Sequence, residues 1–364
     1  MIAFLILSSL ITLAQDKTAA ILKDLCDKKQ YKTATSQYAS NSKELSAEAL
    51  YYVGLAYYFQ EDDNNCLNFL NLSIQKNPKD PRPYYIKGFE LNYVLKYTEA
   101  LACFSTAISL NPKEADYYIG MADSYSSLKK FDEAIANYKK ATQQKNCSSR
   151  AFIAIPQIYM GLKNEKKALE AYYVAKAGVA KTSDDYSHIL SNIGILESKM
   201  NNEVKAEQSF LEMITLYPND FDPYTKLIQV YYKMRDYDKA KPYKEKLYEA
   251  HKKGLLVGDL ADKFCIEQFP WKDKTVSVYE RFEEGAKKDI YEKHIFYVSN
   301  AEYKVELKVQ TEYSPISIEL GGPEFLLCAY KGDSHYNSGV GFSADPKYQH
   351  LRAAALEFIE KLMK

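Results

Sequence analysis

A small residue recurs along this chain as Cys66, Ala100, Ala134, Ala168, Ala206 and Ala240, at steps of 34, 34, 34, 38 and 34 residues. Four residues after each stands a large side chain: Leu70, Phe104, Tyr138, Tyr172 and Phe210, until Lys244 breaks the column. A second column sets Gly54, Gly88 and Gly194 each 24 residues ahead of a proline, Pro78, Pro112 and Pro218. A third puts Tyr57, Tyr125, Tyr159 and Tyr231 three positions after the glycine slot. Columns that share one period leave few folds open. Each unit is a pair of antiparallel helices, with bulk removed where the two approach and an aromatic filling the space one turn on. Proline ends the second helix, because the residue before it disfavours the α region. No such unit buries its apolar face alone, so units must stack.

The order Gly-x-x-Tyr, Ala-x-x-x-Phe, Pro at this period resembles the tetratricopeptide repeat. The resemblance covers residues 47–254 as six units, starting at 47, 81, 115, 149, 187 and 221. It implies an all-α solenoid of helix-turn-helix repeats, wound as a right-handed superhelix, whose concave face is lined by each unit's first helix and binds a protein or peptide. The groove positions it implies in the first two units include Tyr51, Leu55, Tyr58, Phe59, Tyr85, Phe89 and Tyr93. Such a stripe suits an extended or helical peptide with large apolar anchors. The alternative is that some of these rings pack between neighbouring helices or against a leading unit. The family's clamp of Lys and Asn for a terminal carboxylate would fall at the fifth and thirteenth positions. Here those hold Tyr51, Tyr85, Ile119, Phe59, Tyr93 and Ser127, so the clamp is absent.

Departures from the pattern carry their own expectations. Pro156 fills the glycine slot of the fourth unit and should kink its first helix. The fifth unit is delayed by four residues within Gly178 to Asp185. Pro242 is expected in the first turn of its helix, where it is tolerated. Residues 15–46 read as a degenerate leading unit with a weak first helix, Tyr31-Lys32-Thr33-Ala34 imitating the motif.

Residues 1–14, MIAFLILSSLITLA, have the short apolar run and small-residue cleavage site of a signal peptide, with Gln15 as the new N-terminus. The chain is therefore expected to be exported, periplasmic or secreted, with no transmembrane segment after cleavage. Lys+Arg and Asp+Glu are equal at 48 each, and no basic stripe points to nucleic acid. There are 33 tyrosines to one tryptophan, which suits half-buried surfaces, the ring being apolar and the tip polar.

Residues 255–364 lose the helical period and read as a small α+β domain, an antiparallel sheet plus a C-terminal helix. Val305, Leu307 and Val309 alternate with Lys304, Glu306 and Lys308 as a half-buried strand. Further strands are expected near 274–282, 293–299, 314–320, 324–330 and 337–343. The helix follows Asp345-Pro346, with Leu351, Ala355, Phe358 and Leu362 on one face. Trp271 is expected to staple the two domains. Cys265 and Cys328 fall in strands, and whether they pair stays open. There is no CxxC and no two-histidine helical spacing, so no metal or cofactor is expected. His335, in GDSHYNSG, reads as part of a polar turn rather than a catalytic group. The reading is a non-enzymatic interaction scaffold or adaptor. The alternative is an enzyme or structural assembly component with activity in the α+β domain.

Overall fold

A computed structural model describes residues 17–282, 290–299, 302–310, 324–342 and 344–364. The signal peptide expected over 1–14 and the strand expected at 314–320 lie outside them. The chain divides into two compact units, one ending at Ile189 and the other beginning at Leu190.

The first unit is a series of helix pairs. They are α1 (17–27) with α2 (Tyr31–Tyr38), α3 (Ala47–Tyr58) with α4 (Asp63–Lys76), and α5 (Pro81–Tyr93) with α6 (Tyr97–Leu110). Then come α7 (Ala115–Ser127) with α8 (Phe131–Thr142), and α9 (Ser149–Gly161) with α10 (Glu165–Gly178). The leading segment thus forms a true pair, its first helix burying Leu22 and Cys26. Each pair turns through one left-handed residue: Lys29, Glu61, Leu95, Lys129 or Lys163, with φ from 56° to 63°. The next residue's N–H reaches back over the turn: Asp62 to Tyr57 O at 3.1 Å, Lys130 to Tyr125 O at 2.9 Å, and Asn164 to Tyr159 O at 2.9 Å. This bond from C″ to C3 satisfies a carbonyl the helix end leaves open. The column of tyrosines read from the sequence therefore marks where each first helix stops. Second helices start on caps such as Asp62 and Asn164, whose side chains accept from the N–H of Asn65 and Lys167.

Packing follows the columns. Cys66, Ala100, Ala134 and Ala168 are all fully buried. Phe104 is gripped from both sides: a Cβ on Gly88 of its own pair would lie 2.7 Å from its Cζ, and one on Gly120 of the next pair would strike the same ring. One side chain thus closes its own hairpin and joins it to the next. Pro156 is buried inside α9, which continues through it to Gly161.

The second unit holds α12 (Glu203–Leu216), α13 (Asp222–Met234) and α14 (Tyr237–Lys252), then a six-stranded antiparallel sheet in the order β1-β2-β3-β4-β5-β6. The strands are β1 (Lys263–Trp271), β2 (Lys274–Arg281), β3 (Ile290–Val298), β4 (Tyr303–Gln310), β5 (Glu324–Lys331) and β6 (Ser334–Phe342), and α15 (Tyr348–Met363) packs on β4 and β5. α11 (Asp184–Lys199) crosses the division between the units. In β4, Val305, Leu307 and Val309 are buried, but Glu306 between them is sealed from solvent too, with Lys304 and Lys308 as its ion-pair partners.

Several expectations need correction here. Strand β1, expected around Cys265 but without stated bounds, spans Lys263–Trp271, its pattern broken by a bulge between Cys265 and Glu267. The buried stripe of α15 is Leu351 and Ala355, as expected, continued by Ile359, while Phe358 and Leu362 are only half-buried. Pro242 is the sixth residue of α14, beyond the first turn. Trp271 ends β1 at a hairpin, with the Lys272 ammonium 4.7 Å from its ring centre. α13 packs on β1, and the break in the large-residue column at Lys244 becomes clear. Lys244 Nζ lies 2.6 Å from Glu280 Oε2 in β2, and Tyr248 donates to Glu280 Oε1 at 3.0 Å. Cys265 and Cys328 form no disulfide. They lie on β1 and β5, four strands apart and so about 19 Å at the usual strand spacing, far beyond disulfide reach.

The glycines allow a paired test by urea unfolding. Gly120→Ala should destabilise by about 1–3 kcal/mol through overpacking against Phe104. Gly161→Ala, where a Cβ meets nothing within 4 Å, should stabilise by about 0.5–1 kcal/mol through helix propensity. Shifts of the same sign would contradict the packing.

Candidate functional site

The first helices of successive pairs touch one another, α3 with α5 and α5 with α7, while the second helices α4, α6 and α8 stand farther apart among the described residues. The stack therefore closes towards its first-helix side, and α3, α5 and α7 form an inner wall.

Tyrosines run across that wall. Tyr51 on α3 is buried, with the Arg82 guanidinium 4.9 Å from its ring centre. Arg82 is itself fixed by Asp80, at 2.7 Å from NH2, and by Glu48, at 3.1 Å from NH1. Tyr85 on α5 stands 5.0 Å, ring to ring, from Tyr117 on α7. Burial pushes all three hydroxyls up, Tyr117 to about 12, so they stay protonated across the neutral range. Among the described residues none of the three hydroxyls has a protein hydrogen-bond partner, yet none is sealed from solvent. Each ring body is therefore held by packing, while its tip is left to donate and accept outward. That arrangement suits a polypeptide backbone, whose N–H and C=O groups need partners when water is displaced.

The seven residues expected on the groove differ in exposure. Phe59 is 52% exposed and Tyr93 is 66% exposed, so both are open. Phe59 also stacks on Tyr31 of α2 at 4.7 Å. Leu55 and Tyr58 are half-buried against the core of the first pairs. Tyr85 and Phe89 are half-buried too, Phe89 meeting Phe104 edge-on at 5.4 Å. Tyr51 shows only its tip. The rings thus pack between helices and line the wall at once. Sequence reasoning missed Tyr117 and Arg82. Tyr117 sits at the third position of its unit, outside the groove positions the resemblance implies, and only the excess of tyrosine pointed to it.

Beneath the wall lies Glu90 of α5, 3% exposed, its Oε1 without a hydrogen-bond partner. Burial first, then the hydrogen bond and negative charge of Asp63, push its carboxyl up to about 7. A raised acid destabilises the fold as pH rises, because the unfolded chain ionises first. Stability should fall between about pH 4.5 and pH 7, by on the order of 3 kcal/mol. Denaturant midpoints of wild type and Glu90→Gln at pH 5 and pH 8 test this: the wild type should lose that much more than the variant. Parallel losses would contradict it.

His335, expected in a turn, stands in β6 with its ring 5.0 Å from Tyr330. Among the described residues no group of three or more His, Cys, Asp or Glu side chains is set to hold a metal ion. No helix among them is long and apolar enough to cross a membrane.

Residues 115–146 match the family model of the tetratricopeptide repeat, starting where the third unit starts. No curated protein matches the chain. Among solved structures it is similar to YrrB, described as a TPR protein with an unusual peptide-binding site, at 20% identity, covering 49% of this chain and 89% of that one with a TM-score of 0.38. The C-terminal part of a TPR repeat-containing protein from Cytophaga hutchinsonii matches at 18% identity, covering 56% and 80%, with a TM-score of 0.45. PilF of Pseudomonas aeruginosa matches at 15%, covering 57% and 92%, with a TM-score of 0.41. At these levels none of the three says what this chain binds.

Proposed function

We propose that this tetratricopeptide-repeat protein is a non-enzymatic adaptor of the cell envelope or secreted space, which holds an extended or helical segment of a protein partner along α3, α5 and α7. The repeat fold itself points to protein or peptide partners. One observation carries the finer reading: Tyr51, Tyr85 and Tyr117 lie across three consecutive first helices with ring bodies fixed and hydroxyls unpaired. Rigid rings lose little conformational entropy on binding, and their tips can satisfy a backbone. Phe59 and Tyr93, exposed at the ends of α3 and α5, supply apolar area for large anchors. Export is supported by the apolar N-terminal segment ending at Thr12-Leu13-Ala14.

Site-directed photocrosslinking in intact cells tests the reading. A benzoylphenylalanine at Tyr93 should give a discrete crosslinked partner, and one at Ser105 on α6 should not. The triple change Tyr51→Phe, Tyr85→Phe and Tyr117→Phe keeps every ring and should cut the Tyr93 crosslink several-fold. The protein recovered in the crosslink should begin at Gln15. Equal crosslinking from both positions, or no effect of losing the hydroxyls, would overturn the wall. Recovery of the uncut chain from the cytoplasm would overturn the location alone.

A further inference from the structure

A second pocket lies away from the first-helix wall, between α8, α9 and α10. It encloses about 450 Å³, within the range of small-molecule sites. Phe152, Ile155 and Tyr159 of α9 supply its apolar floor, with Ala171 and Val174 of α10 beside them. Lys139 of α8 and Lys167 and Glu170 of α10 are the charged groups at its edge, two cations against one anion. Lys167 leans over the Tyr159 ring, its ammonium 5.6 Å from the centre.

The pocket lies where the fourth pair differs from the pairs before it, α5 with α6 and α7 with α8, in two columns. In the second, third and sixth units the fourth position is a tyrosine tied to the preceding proline: Tyr84 donates to Pro78 O at 3.3 Å, Tyr118 to Pro112 O at 3.1 Å, and Tyr224 to Pro218 O at 3.3 Å. The fourth pair has Phe152 there, which lacks the hydroxyl, and Asn146 in place of the proline. Its ring lies against the last turn of α10, where a Cβ on Gly178 would collide with it. The second column reads Phe69, Cys103, Asn137, Ala171, Ser209 and Tyr243, so the fourth pair carries its smallest member. Loss of the tie and loss of bulk coincide at one place, and Val174, 60% exposed, stands at its rim.

We propose that this pocket binds a small carboxylate amphiphile of the fatty-acid type. Its alkyl body lies on Phe152, Ile155 and Tyr159, and its carboxylate meets the excess positive charge from Lys139 and Lys167. Charge complementarity selects the head group, because an ammonium or phosphocholine head would face two lysines and one glutamate. The apolar floor selects the tail. This site is independent of the polypeptide wall on α3, α5 and α7.

Isothermal titration of the full chain with decanoate, below its micelle concentration, tests the proposal, with 1-decanol as the uncharged probe. Decanoate should bind saturably at one site, at least tenfold more tightly than the alcohol. Val174→Trp, at an exposed position that leaves folding intact, should weaken decanoate binding at least tenfold by filling the pocket, and Ala171→Trp should do the same from within. The double change Lys139→Glu and Lys167→Glu should abolish the preference for the carboxylate. Circular dichroism confirms that each variant is folded. Non-saturable binding, equal affinity for decanol, or full binding by folded Val174→Trp would overturn the site.

Discussion

The close approach of two helices at a residue without bulk is the constraint from which the rest of this structure follows. Ala100 and Ala134 let a second helix lie against its first, and the next large side chain locks the pair. Phe104 shows the economy of the device, since its ring occupies space vacated by Gly88 in its own pair and by Gly120 in the next. Stacking and hairpin closure are then one packing event. A repeat array built this way has no single centre, and its stability is a sum over pairs and interfaces. It also brings first helices together on one side, which is how tyrosines far apart in sequence come to share a wall.

The array ends by changing chemistry rather than by fading. Where a further pair would need an aromatic, Lys244 enters a polar cluster with Glu280, Tyr248 and His294. Burial works against the charge of Glu280, but His294 at 3.3 Å and Lys244 at 2.6 Å hold its carboxyl down to about 2. Around it, Tyr248 and Phe264 pack on Phe282. Tyr232 of α13 meets Tyr348 of α15 at 4.9 Å. The last repeat thus uses the sheet as its next neighbour, burying the face that a solenoid's terminal unit would otherwise leave open.

Much of the fold was legible because its period is long and repeated: a column seen six times survives one exception such as Pro156 or Lys244. The sheet was less so. A strand such as β1 carries one short pattern with no second copy to check it, and its bulge between Cys265 and Glu267 shifts the alternation. Glu306 shows the same limit from another side, since alternation alone marks it as solvent-facing, while the ion pairs with Lys304 and Lys308 flanking it help make its burial tolerable. At the site, sequence positions found the rings but could not tell a core ring from a wall ring. Tyr51, Tyr85 and Phe89 are both, because a buried or half-buried ring in a helix interface still offers an edge or a tip. Arg82 and Tyr117 needed the structure, since what places them is the neighbour helix, not the local motif.

The central proposal for this molecule is that the first-helix wall is the surface a partner covers. Hydroxyl-radical footprinting of the protein, alone and with its crosslink-identified partner, reads this residue by residue. The account predicts that Tyr93, Phe59 and the tips of Tyr51, Tyr85 and Tyr117 become protected together, while Tyr173 on α10, 39% exposed, reacts as before. Protection confined to second helices, or spread evenly over both sides of the stack, would contradict it.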